Sequence, residues 1–267
     1  MTTAPQIGVH ALGGPTAILE VGGLRLLTDP TFDPVGSYEV APGRVLTKTA
    51  PAVLGPSEVG PIDAVLLSHD QHKDNLDDGG RDYLGEVPIV LTTASAAGRL
   101  GGTTRAVPVW EHVDLPRPGG GTLRVTRVPA LHGPEGSEPV VGEVAGFVLS
   151  GDGAPTVPTV YVSGDNASLD LVAEIAGRFS VDVAVLFAGA ARTALMDGAN
   201  LTLTSAQAAE AARILGASHV VPLHFEGWGH FTEGPDTLTA AFTAAGLAAR
   251  LTLLRAGTYT TLTVTPR

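Results

Sequence analysis

Four times in this chain a short apolar run stops at a histidine or an aspartate. His69 follows Ala64-Val65-Leu66-Leu67-Ser68, and His132 follows the stretch ending Val128-Pro129-Ala130. Asp165 closes Tyr161-Val162-Ser163-Gly164, and His224 closes Val220-Val221-Pro222-Leu223. An apolar run without polar alternation, as at 62–68, is expected of a strand buried on both faces. Such strands need cover on both sides, so the chain is expected to form sheets covered by helices. In sheets covered in this way, the edge at the strand C-termini is where ligands and metals are held.

The same reading extends along the chain. Runs at 16–21 and 24–28, joined by Gly22-Gly23, predict a hairpin. Strands are expected at 62–68, 87–93, 104–109 continuing to 115, 122–129 and 144–150. Gly119-Gly120-Gly121 and 151–155 read as turns between them. A short helix fits 75–84, and an Ala-rich helical stretch runs to Leu100. The second half alternates: strands at 159–163, 181–187 and 219–225, helices at 168–179, 205–215 and 236–245, and a closing pair of strands within 250–264. The helix at 205–215 carries the clearest punctuation, with a Thr204/Gln207 capping box and Gly216 as its stop. No linker divides the chain, so residues 1–267 are read as one domain, within which a duplicated half-domain is conceivable. Stretches 34–60 and 189–203 are expected to be loops that shape a pocket.

Composition narrows the chemistry. The 267 residues carry 16 Lys+Arg and 27 Asp+Glu, a net charge of −11, which argues against a nucleic-acid partner. There is no cysteine, so thiolate ligands, thiol nucleophiles and disulfides are all excluded. Eight histidines remain, and any transition metal would have to be held by imidazole and carboxylate. No apolar stretch approaches the roughly 20 residues of a membrane span, and the N-terminus lacks a signal-peptide pattern. A cytoplasmic protein acting on a small molecule is the expectation, with a homo-oligomer left open.

Singly, a strand-end histidine is most often a structural hydrogen-bonder, and an aspartate after Ser-Gly is often a turn residue. Asp152, in the second Ser-Gly-Asp of the chain, is read that way. The set reads differently. Three strand-end histidines and a strand-end aspartate accompany the loop His69-Asp70-Gln71-His72-Lys73-Asp74-Asn75-Leu76-Asp77 in a chain without cysteine. That combination points to a metal centre. His10, His112 and His219 are read as structural.

These residues resemble the motifs of the metallo-β-lactamase fold superfamily of metallohydrolases, and more narrowly its ascorbate 6-phosphate lactonase-like branch. The resemblance covers nearly the whole chain. Residues 13–34 are similar to the branch's opening hairpin and end near its first-motif aspartate, Asp29. Residues 68–77 resemble the His-x-His-x-Asp-His loop, while His132, Asp165 and His224 match the three later motifs. The loop departs from the pattern. Aligned without a gap, Gln71 and Lys73 would replace ligands. One inserted residue keeps His69, His72 and Asp74, and puts Asn75 where the family has its fourth loop histidine.

The resemblance implies a four-layer αββα sandwich, with two mixed sheets face to face and helices outside. It implies one or two divalent ions, with zinc first and manganese or iron as alternatives. His69, His72 and His132 would hold one ion, Asp74 and His224 the other, and Asp165 would bridge. The implied activity is a metal-dependent hydrolase using a metal-bound hydroxide on a lactone, acyl ester or phosphoester. The alternative is a non-catalytic member of the fold with a degraded second metal site, since the amide of Asn75 is a poorer ligand than imidazole. Asp74 would orient or deprotonate the nucleophile. Asp29 would fix ligand orientation, although it could equally cap the turn before Pro30. Glu226, Trp228 and His230 would wall the substrate site, with His230 available to protonate a leaving group. Gln71 competes with His72 for the inward-facing place.

Overall fold

The computed structural model describes residues 4–153 and 156–264. Its first sheet is built from β1 (Gln6–Gly13), β2 (Thr16–Val21), β3 (Leu24–Thr28), β6 (Ala64–Leu66), β7 (Val90–Thr92), β8 (Thr104–Ala106) and β15 (Tyr259–Thr263), in the order β15-β1-β2-β3-β6-β7-β8. The second contains β9 (His112–Pro116), β10 (Thr122–Ala130), β11 (Val144–Gly151), β12 (Val160–Val162), β13 (Val183–Phe187) and β14 (His219–Leu223), in the order β14-β13-β12-β11-β10-β9. Both are mixed. In the first, β15, β1, β2 and β3 pair antiparallel and β3, β6, β7 and β8 parallel. In the second, β9 to β12 pair antiparallel and β12 to β14 parallel. A separate hairpin is formed by β4 (Gly36–Ala41) and β5 (Arg44–Lys48).

The apolar runs are continuous because each strand feeds two cores. In β6, Ala64 and Leu66 enter the core between the sheets, while Val65 and Leu67 face outward. In β13, Val183, Val185 and Phe187 point inward, and Ala184 and Leu186 point outward. The period of two thus places apolar side chains on both faces. The outer face of the first sheet packs with Leu76, Tyr83 and Leu84, around α1 (Asp78–Tyr83), and with Leu100 of α2 (Ala94–Leu100). That of the second sheet packs under α4 (Leu169–Arg178), α5 (Ser205–Leu215) and α6 (Pro235–Ala244). The result is the expected αββα sandwich. A one-turn helix, α3 (Glu138–Val141), lies between β10 and β11.

α5 ends as its punctuation predicts. Thr204 and Gln207 form the capping box, and Gly216 adopts a left-handed conformation with φ 64°. Other expectations change. Residues 104–115 are not one strand with a continuation: β8 belongs to the first sheet and β9 to the second, with Trp110 at φ 69° where the chain turns between them. Residues 250–264 supply only β15, since Leu251 makes a single bridge to Val220. The helix expected at 75–84 starts late because the Asp77 side chain caps it, accepting from the Gly80 amide at 2.8 Å. The 34–60 stretch holds the β4–β5 hairpin. Part of the 151–155 turn, residues 154–155, lies outside the described residues.

The two sheets are joined by main-chain hydrogen bonds at one edge. Ala145 N donates to Ser68 O at 2.9 Å, and His224 N donates to Gly14 O at 2.8 Å. Gly164 makes the first approach possible. Its φ is +57°, and a Cβ there would meet Ala145 O at 2.4 Å and Ser68 Cβ at 3.0 Å.

Candidate metal centre

That edge gathers the six expected ligands. His69, His72 and Asp74 come from the loop after β6 of the first sheet, while His132, Asp165 and His224 follow β10, β12 and β14 of the second. His72 is partly exposed and the other five are buried. They form two sets that share Asp165. One ligand atom each from His69, His72, His132 and Asp165 lies within 4.8 Å of the others, as does one each from Asp74, Asp165 and His224.

In the loop, His72 rather than Gln71 joins the other histidines. His72 Nδ1 is 2.9 Å from His69 Nε2 and 3.2 Å from His132 Nε2. Gln71 is exposed and packs against Gly142, outside the histidine cluster. The neighbouring Asp70, unremarked in the sequence, is buried in an ion pair with Arg99 that fastens the loop to α2.

Two of the imidazoles are held from behind. His132 Nδ1 lies 2.8 Å from the Leu201 carbonyl, which can only accept, so Nδ1 carries the proton and Nε2 faces the cluster as a lone pair. Ser68 Oγ donates to Asp29 Oδ2 at 2.5 Å and lies 2.9 Å from His69 Nδ1. With its own proton given to Asp29, Ser68 accepts from His69 Nδ1, again freeing Nε2. Asp29 is buried and takes two further hydrogen bonds, from Ser68 N at 2.6 Å and Asn75 Nδ2 at 3.0 Å. Asn75 is therefore turned toward Asp29 through its nitrogen, and its Oδ1 is a buried atom without a hydrogen-bond partner. Ser68 and the Leu201 carbonyl are the two supports that the sequence did not reveal. Ser68 precedes a strand-end histidine, which is its only signal.

Backbone conformation is special at two of these positions. Asp29 has φ 26° and His224 has φ 55°, both in the left-handed region that residues other than glycine rarely adopt. Each sits where a strand ends and the chain must turn sharply to keep its side chain at the edge.

The charge pattern separates the two sets. Burial, reinforced by the neighbouring His72, holds His69 well below the usual imidazole range. Burial and the facing His132 hold His72 down to about 4. These rings are neutral at pH 7, as ligands must be. At Asp165 burial opposes ionisation, but His224 and His132 outweigh it and hold the carboxyl low. Asp74 behaves likewise beside His230 and His224. His224 is pushed up to about 10, because Asp165 and Asp74 outweigh the effect of burial.

Both oxygens of Asp165 and both ring nitrogens of His224 are buried without a hydrogen bond, and Asp165 meets His224 Nε2 at 3.5 Å and His132 Nε2 at 3.6 Å only at ion-pair distance. Leaving buried polar atoms unpaired costs about 1–3 kcal/mol each, more when charged. A divalent cation bound here would satisfy these atoms and displace the His224 proton, so the donors fit such an ion.

His230 lies beside the second set, with Nε2 3.0 Å from Asp74 Oδ2. Trp228 and Glu226 do not form the expected wall. Trp228 is buried, with Lys48 Nζ 5.4 Å from its ring centre, because residue 228 bridges Lys48 at the hairpin base and carries its ring inward. Glu226 is half-buried, and neither residue lines the cavity over the cluster. The hairpin β4–β5, α3 and residues 191–201 supply that wall. His10 stacks edge-on with Tyr259, His112 faces Asp114, and His219 meets the Thr263 carbonyl, all apart from the cluster.

Residues 24–225 match the beta-lactamase superfamily domain. A UPF0173 metal-dependent hydrolase of Pelotomaculum thermopropionicum is 30% identical over 194 residues, covering 68% of this chain and 75% of that protein. One from Pyrococcus abyssi is 24% identical, covering 80% and 88%. Among solved structures, an isothiocyanate hydrolase from Delia radicum gut bacteria superposes with a TM-score of 0.80 at 17% identity, over 97% of this chain and 100% of that one. A metallo hydrolase from Ignicoccus hospitalis gives 0.72 at 18%, over 97% and 100%. With the match taking in strands of both sheets and all six clustered side chains, the chain belongs to the beta-lactamase superfamily and has its metallo-β-lactamase fold.

Proposed function

We propose that the protein is a metal-dependent hydrolase that cleaves a small ester-like substrate: a lactone, an acyl ester or a phosphoester. The observation that carries this reading is the pair of ligand sets sharing Asp165, whose buried oxygens make no hydrogen bond. The names of the curated relatives support it. A divalent cation at such a centre supplies Lewis acidity and hydroxide at neutral pH. His69, His72 and His132 would hold one ion and Asp74 and His224 a second, with Asp165 common to both. Three imidazoles suit zinc, and the oxygen-richer second set suits manganese or iron.

The chain's own residues supply the proton path. Asp74 orients the attacking water, and would accept its proton where the second ion is absent. His230, in contact with Asp74, delivers a proton to the leaving oxygen. Asp29 and Ser68 fix the His69 ring, and Asn75 steadies Asp29. The whole of 1–267 is read as one functional unit working on a small molecule in the cytoplasm. No helix among the described residues is long and apolar enough to cross a membrane.

Metal analysis combined with a panel of esters, lactones and phosphodiesters tests the reading. Turnover is expected, and His132→Ala should abolish both metal retention and turnover. Full activity in a metal-free variant would overturn it. One feature favours a binding role instead: Asn75 turns its nitrogen to Asp29, leaving the second set with three ionisable donors. Bound metal without hydrolysis across the panel would establish that alternative.

A further inference from the structure

A cavity of about 500 Å³ opens over the cluster, a size suited to a small molecule. Two properties of its lining are unusual for this chain. The first is charge. The protein carries a net −11, yet Asp74 is the only carboxylate on the described lining, and it faces His224 and His230. Three cations, Arg44, Lys73 and Arg192, stand around the mouth. Lys73 is paired with Asp78. Arg192 donates to the neutral Asn200 side chain at 2.8 Å, and neither it nor Arg44 forms an ion pair among the described residues. Both are exposed.

The second property is apolar exposure. Val40 is 44% exposed, Val45 60% and Val140 54%. All three border this cavity, two from the β4–β5 hairpin and one from α3. Exposed apolar side chains that converge on one mouth mark a surface that something apolar covers. The hairpin is also held in place. Lys48 Nζ donates to Asp77 Oδ2 at 2.9 Å and Thr31 O at 3.1 Å, and Gly229 N donates to Thr47 O at 2.9 Å.

We infer that the substrate is an ester-like molecule with an apolar segment next to the scissile bond and an anionic group at its far end. Arg44 and Arg192 hold the anion, and Val40, Val45 and Val140 receive the apolar segment. This rests on the hydrolase reading above and adds the substrate class to it. Guanidinium groups pair well with carboxylate or phosphate oxygens, and a local cationic mouth offsets the repulsion an anion meets from the acidic chain. Hydrolysis consumes one water. Its hydroxyl joins the acyl carbon, the bond from that carbon to the leaving oxygen breaks, and the remaining hydrogen ends on that oxygen. With the anion on the acyl half, the products are a molecule with an acid at each end and the alcohol that leaves.

The test compares mono-4-nitrophenyl adipate with 4-nitrophenyl hexanoate, two six-carbon acyl esters that differ in the terminal carboxylate. The metal-loaded protein should show kcat/KM about tenfold higher for the adipate, mostly through KM. The ratio should fall toward one in the double variant Arg44→Gln/Arg192→Gln and in 0.5 M NaCl. Arg124→Gln, at the opposite end of β10 from His132, should keep it. Calorimetric binding of adipate against hexanoate reads the same preference without turnover. A ratio of one in the wild type, or a ratio unchanged in the double variant, overturns the inference while the hydrolase reading stands. Arginine-dependent adipate binding with neither ester cleaved supports the inferred pocket and counts against the ester-hydrolase reading.

Discussion

His69 and His132 each have the ring nitrogen that faces away from the cluster tied to a neighbour, to Ser68 and to the Leu201 carbonyl. His224, on the other side of Asp165, has neither ring nitrogen hydrogen-bonded. The first set is rich in imidazoles whose orientation is fixed before an ion arrives. The second has two carboxylates and one imidazole, and is organised by charge. Hydrogen bonds behind a ligand reduce the ordering cost of binding and set the tautomer. On the proposed two-ion reading, the first set should retain its ion more tightly and the second should exchange a harder one more readily.

Asp165→Asn should erase the contrast by weakening both halves together. Metal content per chain should fall toward zero, and turnover to background, as measured by elemental analysis and rate. Retention of one full equivalent would show that the halves are independent. Ser68→Ala should act on the first half alone. Losing the support behind His69 is expected to cost about 10- to 100-fold in metal affinity, read by competition with a chromophoric chelator. An equal loss from both halves would break the comparison. Asn75→His should sharpen the second half, raising its metal retention a few-fold; unchanged stoichiometry would mean that position 75 does not face it.

A further expectation concerns pH. Burial pushes the Asp29 carboxyl up to about 7, against the lowering effect of its bonds from Ser68 and Asn75. Its unfolded value is roughly 4, so the folded chain binds this proton more tightly. The stability it contributes is full below pH 4 and is lost as pH rises through 7. Thermal unfolding of Asp29→Asn should lack that component, a difference of about 3 kcal/mol between pH 4 and 7. Parallel pH profiles for the two proteins would refute the shift.

Much of this centre is visible in the sequence for one physical reason. A strand buried on both faces leaves a long apolar run, and the polar residue that ends it stands out, as at His69, His132, Asp165 and His224. His72 needed the loop to accommodate one extra residue. Ser68 and the Leu201 carbonyl escaped notice because serine is common and a carbonyl has no sequence signature. The β4–β5 hairpin packs little of its surface, so it lacks a buried run, although Pro42-Gly43 marks its turn. The 104–115 stretch misled because local propensity favours strand throughout but does not say which sheet each part joins.

The six clustered side chains are divided equally, three from each sheet. An ion bound by both groups would rivet one half of the sandwich to the other, adding to the shared core and the main-chain hydrogen bonds that already join them. Chelation should lower the melting temperature as well as the rate. In a cell, metal supply would then set how long each copy survives proteolysis, making the protein's abundance a record of the ion it uses.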